Sequence, residues 1–186
     1  MMRILRSIIL ILLVIPLNSC RHPLAQSVRG MIGCEVKFSY MEPCLDGYFS
    51  EDNNIYHNDS AVKLVVYLDS TQCQICRLNN LEKYHEYIKL DKSNDQFDFI
   101  IILSPPKDDY LHTKFLLNTM RLNHRVYLDS NQEFLFNNKF IPSDKRFHTF
   151  LLDMNNQVVI IGDPIGNQKL CELISRYLRE NITMSE

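Results

Sequence analysis

Tryptophan is absent from this chain of 186 residues, and no stretch concentrates charge of one sign. No apolar run reaches the ~20 residues that a membrane-spanning helix needs. A formal net charge of −2 without a basic stripe excludes the electrostatic footprint of a nucleic-acid binder. Acidic residues are also missing from the apolar run Val62 to Leu68, so a strand there offers no buried carboxylate before Asp69.

What is present begins with a leader. Arg3 and Arg6 precede an apolar stretch, Ile8 to Leu17, that is too short for a permanent span and reads as a secretion signal over 1–20. An uncleaved anchor helix is the other reading, and either would place the protein outside the cytoplasm. Setting Cys20 aside, Cys34, Cys44, Cys73, Cys76 and Cys171 remain. An odd number in an exported chain leaves at least one thiol outside any disulfide.

The stretch that carries chemistry is AVKLVVYLDSTQCQICRLNNLEKYHEYIKL, from Ala61 to Leu90. Val62 to Leu68 has the β-branched, apolar character of a buried central strand. Asp69, Ser70 and Thr71 are turn and cap residues, and Leu78, Leu81, Tyr84 and Ile88 recur at helical spacing beyond them. Cys73-Gln74-Ile75-Cys76 therefore falls where a strand ends and a helix begins. Spacing i, i+3 in a first helical turn puts both sulfurs on one face, where unpaired N–H groups favour a thiolate. Such a thiol titrates below its free value of ~8.5. Cys73 is the expected attacking thiolate and Cys76 the resolving thiol. Half of a zinc site, or two small buried hydrophobes, are the other readings of the same four residues.

Elsewhere the pattern is coarser. His22 to Arg29 reads as a tether, Gly30 to Tyr40 as a leading strand by its alternation, and Glu42 to Asn58 as a loop. Cys34 and Cys44 could pair, closing a loop worth ~2–3 kcal/mol, or remain thiols. Phe97 to Leu103 is a second apolar strand, and Asp108 to Leu122 a helix with Leu111, Phe115, Leu116, Met120 and Leu122 on its apolar side. Arg125 to Leu128 is a short strand. His148 to Asp153 and Val158 to Gly162 flank Asn155-Asn156 as an antiparallel hairpin, and Asn167 to Arg179 is a closing amphipathic helix. Cys171 beside that helix's apolar face reads as a buried thiol, and His85 as a residue of the polar face of the helix after the CxxC.

With LVVYLDSTQCQIC, the FIIIL strand and TFLLDMNNQVV in this order, the chain resembles the thioredoxin-like superfamily, specifically its exported, lipid-anchored thiol-disulfide exchange members, over about Val62 to Leu178. The resemblance implies an α/β fold, a central mixed sheet flanked by helices with an N-terminal extension, and disulfide exchange at Cys73 and Cys76. Domains follow as 1–20 signal peptide, 21–60 tether and extension, and 61–186 thioredoxin-like domain. Leu17-Asn18-Ser19-Cys20 resembles a bacterial lipobox, implying lipidation at Cys20 and a lipid-anchored, extracytoplasmic location, on the periplasmic side. Two family features are absent: Gln72 stands where a tryptophan is usual, and the place of the family's cis-proline falls near Phe147. Phe147 and His148 are accordingly the candidate substrate-positioning residues, and His148 facing the CxxC could act as a cation or a third metal ligand.

The leading expectation is a membrane-tethered extracytoplasmic thiol-disulfide oxidoreductase. Its partners would be protein thiols or disulfides, an upstream redox partner and, through the anchor, the membrane. It calls for no cofactor and no metal. The alternatives are a non-catalytic thioredoxin-fold lipoprotein that binds a partner, or a metal-binding module built on the CxxC.

Overall fold

The computed structural model describes residues 23–46, 48–49, 58, 60–70, 78, 81–120 and 122–183. Cys20, Cys73 and Cys76 lie outside these residues.

Two apolar strands, β3 (Val62–Leu68) and β4 (Phe97–Leu103), form the centre. They pair in parallel along their whole length, from Val62 opposite Phe97 to Leu68 opposite Leu103. All seven β3 residues are buried, which is why this run is continuous and not alternating. The crossover between them ends in a 3-10 turn, Leu81–Tyr84, and helix α2 (His85–Ser93). Helix α3 (Tyr110–Met120) then leads to β5 (Val126–Leu128), parallel to β4. Asp129 ends that strand and caps helix α4 (Glu133–Asn137): its carboxylate accepts the N–H groups of Glu133 and Phe134 at 2.9 and 3.1 Å. Strands β6 (Thr149–Leu152) and β7 (Val158–Ile161) are antiparallel, and β6 lies against β3. Asp153 builds the turn between them by accepting from the N–H groups of Asn155 and Gln157, with Asn156 at φ 59°. Helix α5 (Gln168–Asn181) closes the chain, capped by Asn167, which accepts from the N–H of Leu170.

Among the described residues the sheet has seven strands, with β1 (Glu42–Leu45) and β2 (Tyr48–Phe49), in the order β2-β1-β5-β4-β3-β6-β7, parallel at its centre and antiparallel toward both ends. Strand alternation divides two cores. Val62, Leu64, Val66 and Leu68 join Leu117, Ile174 and Leu178 on one face, while Val65 and Tyr67 join Met31, Phe134, Phe147 and Phe150 on the other. At ~1.5–3 kcal/mol for each large apolar side chain removed from water, these layers dominate the stability.

The N-terminal part differs from its sequence reading in three places. Pro23–Met31 is helix α1, not a tether: Leu24 and Val28 pack on the core and Met31 is fully buried. Residues 32–41 form no strand, only an isolated bridge from Glu35 to Gln157, because the apparent alternation does not follow burial: Ile32 is exposed and Val36 buried. The expected loop contains a hairpin, β1 (Glu42–Leu45) with β2 (Tyr48–Phe49), whose β1 pairs with β5. Cys34 therefore sits beside β7 and Cys44 on β1, about 29 Å apart across six spacings of ~4.8 Å, beyond the ~7 Å a disulfide allows. The Cys34 thiol instead donates to the Gly30 carbonyl at 3.2 Å.

Two apolar faces also shift. Leu111 and Phe115 are exposed, whereas Thr113 and Leu117 face the core from α3. Leu173 is likewise exposed on α5, and Cys171 is half-buried beside the Tyr87 hydroxyl.

Lys63, inside the apolar run, is fully buried and donates to the Ala61 carbonyl at 2.9 Å. Its register partner is Asp98, whose carboxylate accepts the Asn58 N–H at 2.7 Å. Burial pushes the Asp98 carboxyl up to about 6, against the lowering effects of that hydrogen bond and of Lys63.

Candidate functional site at the end of the central strand

Strand β3 delivers the chain to Asp69, and helical structure is in place again at Leu78, which is buried. The Cys73 and Cys76 of the sequence reading fall within this interval, outside the described residues. Asp69 stands at the carboxyl ends of the parallel strands β3, β4 and β5, the edge where open α/β sheets bind ligands.

The residues described at this edge are polar and buried. Tyr67 receives a backbone contact from the neighbouring strand's approach, its N–H donating to the His148 carbonyl at 2.8 Å, which places His148 beside the last residues of β3. The His148 ring is 1 % exposed. Its Nε2 lies 2.9 Å from the Pro142 carbonyl and its Nδ1 3.5 Å from Asp69 Oδ2. The ring meets Tyr67 edge-on at 5.2 Å. Tyr67 in turn stacks on Phe134 at 5.1 Å, and burial pushes its hydroxyl up to about 12 despite a hydrogen bond with Ser104. Burial likewise raises the Asp129 carboxyl, opposed by the N–H groups it caps.

A short 3-10 turn, Lys145–Phe147, brings His148 into this position. Asp144 caps it through the Arg146 N–H at 3.0 Å, and the Arg146 guanidinium beside it holds the Asp144 carboxyl down at about 2. Phe147 is 5 % exposed and its side chain packs in the second core, so that ring is a packing element. Among the described residues no peptide bond is cis. Nor do the described residues gather three or more His, Cys, Asp or Glu as a cation cage. His85 is exposed, while Tyr84 and Tyr87 are core residues stacked around Phe99.

Sequence reasoning named Asp69 and His148 separately and missed that they meet. Distant residues on neighbouring strands leave no spacing signal. Lys63 was also missed, although a lone cation inside an apolar run signals a buried charge that needs partners. A cavity of about 590 Å³, lined by Leu81, Ile88, Met120, Leu122 and His124 among others, includes neither Asp69 nor His148 and so is separate from this edge.

No protein-family model matches the chain, and no curated protein matches it by sequence. Solved structures do resemble it. One, from Chlorobium tepidum, carries a proposed assignment as the thiol:disulfide interchange protein DsbE; it is 13 % identical, with a TM-score of 0.52 over 79 % of this chain and 97 % of that one. Another, from Bacteroides thetaiotaomicron, carries a proposed assignment as a protein disulfide isomerase; it is 16 % identical, with a TM-score of 0.51 over 81 % of this chain and 89 % of that one. Together with a mixed sheet whose central parallel strands are covered on both faces, these likenesses identify the chain as having a thioredoxin-like fold.

Proposed function

We propose that the protein is a thiol-disulfide oxidoreductase that exchanges disulfides with protein thiols through Cys73 and Cys76. The observation that carries this reading is positional: β3 ends at the ligand-binding edge of a thioredoxin-like sheet, and the sequence places Cys-Gln-Ile-Cys in the few residues before Leu78. Proteins with this fold and proposed thiol-disulfide activities support it. In this reading Cys73 is the attacking thiolate and Cys76 resolves the mixed disulfide. Insulin reduction with dithiothreitol tests it. The wild-type chain should accelerate insulin precipitation, Cys73→Ser should abolish the effect, and Cys76→Ser should accumulate a trapped mixed disulfide. Equal rates for all three chains would reject it.

Lipidation at Cys20, with tethering on the periplasmic side of a bacterial membrane and reduction or oxidation by an upstream partner there, belongs to the same proposal. Metabolic labelling with an alkyne fatty acid should mark the wild-type chain and not Cys20→Ser. A second reading, a partner-binding module without catalysis, is favoured by one observation: Phe147 and His148 are both buried, so neither side chain lines an open groove at that edge. A Cys73→Ser chain that retains all partner capture in crosslinking would support that reading.

A further inference from the structure

The cavity of about 590 Å³ between α2 and the chain leaving α3 falls within the ~300–1,000 Å³ range of small-molecule sites. Its wall is largely apolar. Leu81 and Ile88 come from the 3-10 turn and the helix that follows it, Met120 from the last residue of α3 and Leu122 from just beyond. Ile88, Met120 and Leu122 are only half-buried, so an occupant would remove further apolar surface from water. His124 is the deeply buried polar side chain of the lining, 5 % exposed. Its Nε2 lies 2.7 Å from the Phe99 carbonyl, which can only accept, so that nitrogen carries a hydrogen. Burial holds this ring below its ordinary value against the pull of Asp91, which lines the smaller neighbouring cavity, and at neutral pH the inner wall carries no charge there.

Charge is confined to the mouth. His85, Lys89 and Lys92 are exposed and follow one another at i, i+4 and i+7 along α2, which sets them on one edge of the opening. The Lys92 ammonium donates to Asn123 Oδ1 at 2.8 Å and keeps two N–H groups for another acceptor. Glu82 is the carboxylate of the lining, and it belongs to the 3-10 turn at the far end, at least ~15 Å from Lys92 along the axis at helical rise. An anion held at the lysines is therefore clear of it.

We propose that this cavity binds a single-chain anionic amphiphile of the fatty-acid kind. The alkyl chain lies against Leu81, Ile88, Met120 and Leu122, and the carboxylate sits at Lys89 and Lys92. A compact anion would leave the apolar wall uncovered, and a plain hydrocarbon would make no use of the cationic edge. Lysines act as point charges without the planar fork of arginine, which suits a single carboxylate head. The site includes neither Asp69 nor His148 and needs no thiol chemistry, so it goes beyond the oxidoreductase reading and does not depend on it.

The test is carbon-13 methyl NMR of the methionine-labelled full chain, with Met120→Leu assigning one signal among those of the seven methionines. Decanoate should move the Met120 signal saturably, and decanoate should bind about 15-fold more tightly than octanoate, the gain from burying two more methylenes. Replacing both lysines, Lys89→Glu with Lys92→Glu, should weaken decanoate about 10-fold and leave decanol unchanged. Ile88→Trp, with its fold checked by circular dichroism, should fill the cavity and block binding; the chain-length series on the wild type stands without it. A Met120 signal indifferent to millimolar decanoate would overturn the proposal. Decanol or decylammonium binding as tightly as decanoate would overturn it too, and a Met120 signal that responds to protein concentration alone would assign the cavity to a second copy of the chain instead.

Discussion

Replacing Asp98 by Asn should stabilise the protein at neutral pH relative to its effect in acid, because the native carboxylate is charged in a site that disfavours charge. Three influences compete there. Burial raises the carboxyl, while the Asn58 N–H at 2.7 Å and the Lys63 ammonium lower it, and burial prevails, leaving the group at about 6 against 3.8 when exposed. Because the folded value lies above the unfolded one, the folded state holds the extra proton between them. That contribution to stability is fully present below about 3.8 and is lost as pH rises through about 6. For a carboxyl wholly shut away from water, the rise corresponds to about 3 kcal/mol. Asp98 borders an open cavity of about 260 Å³, so solvent screening reduces this to roughly 1–2 kcal/mol.

The assay is urea unfolding followed by tyrosine fluorescence, since the chain has nine tyrosines and no tryptophan. Wild-type and Asp98→Asn chains are compared at steps from pH 3.5 to 7.5. The difference between them matters, because His124 in the same cavity acts in the opposite sense: burial lowers it from 6.5, so its contribution is present above 6.5 and is lost as pH falls below that value. At a slope of ~2 kcal/mol per molar urea, the variant's midpoint should gain ~0.5–1 M on the wild type between pH 3.5 and 7.5. A constant difference would refute the reasoning. A gain by the wild type instead would show that Lys63 and the Asn58 N–H outweigh burial.

Other expected outcomes concern the N-terminal segment and the last crossover. Asn138 is fully buried and holds residue 37 on both sides, its Oδ1 accepting the Lys37 N–H and its amide donating to the Lys37 carbonyl, each at 2.8 Å. Asn138→Ala should therefore cost about 2–3 kcal/mol in urea unfolding and raise hydrogen exchange over residues 34–41, whereas unchanged exchange there would deny the tie. Gly162 has φ +126°, and a Cβ on it would lie 2.6 Å from Leu170 Cδ1. Gly162→Ala should destabilise by about 1–3 kcal/mol, and an accompanying Leu170→Ala should not restore the part due to backbone strain, as a double-mutant cycle would reveal. Phe134, fully buried between Tyr67 and Phe38, should cost about 3–5 kcal/mol when changed to Ala, read as a lowered thermal midpoint.

Legibility in the sequence followed how far each signal depended on local physics. Val62–Leu68 and Phe97–Leu103 are buried on both faces, so an unbroken apolar run was enough to find them. Asp153 and Asn167 act within a few residues of themselves, and the turn and helix start around them were readable for that reason. The short strands β1 and β2 were not, because two to four residues carry no periodicity and their stability comes from β5, far along the chain. Leu111 and Phe115 misled for the opposite reason: they are apolar at helical spacing, yet α3 turns Thr113 and Leu117 inward. Cys73, Cys76, Phe147 and His148 could be nominated by pattern and resemblance. The approach of His148 to Asp69 could not, since it depends on which strand β6 chooses as a neighbour.

The course of residues 31–45 has a consequence for how the molecule is assembled. Gly33 and Cys34 bond to Val158 at one flank of the sheet, Lys37 to Asn138 behind it, and Glu42 to Cys44 pair with Leu128 to Val126 near the opposite flank. Apart from the β1–β2 hairpin, this ribbon thus finds its sheet partners in the last third of the sequence. A ribosome-bound polypeptide can close the β1–β2 hairpin but cannot seat the whole ribbon on the sheet, and it stays accessible to chaperones and proteases until residue 158 has emerged.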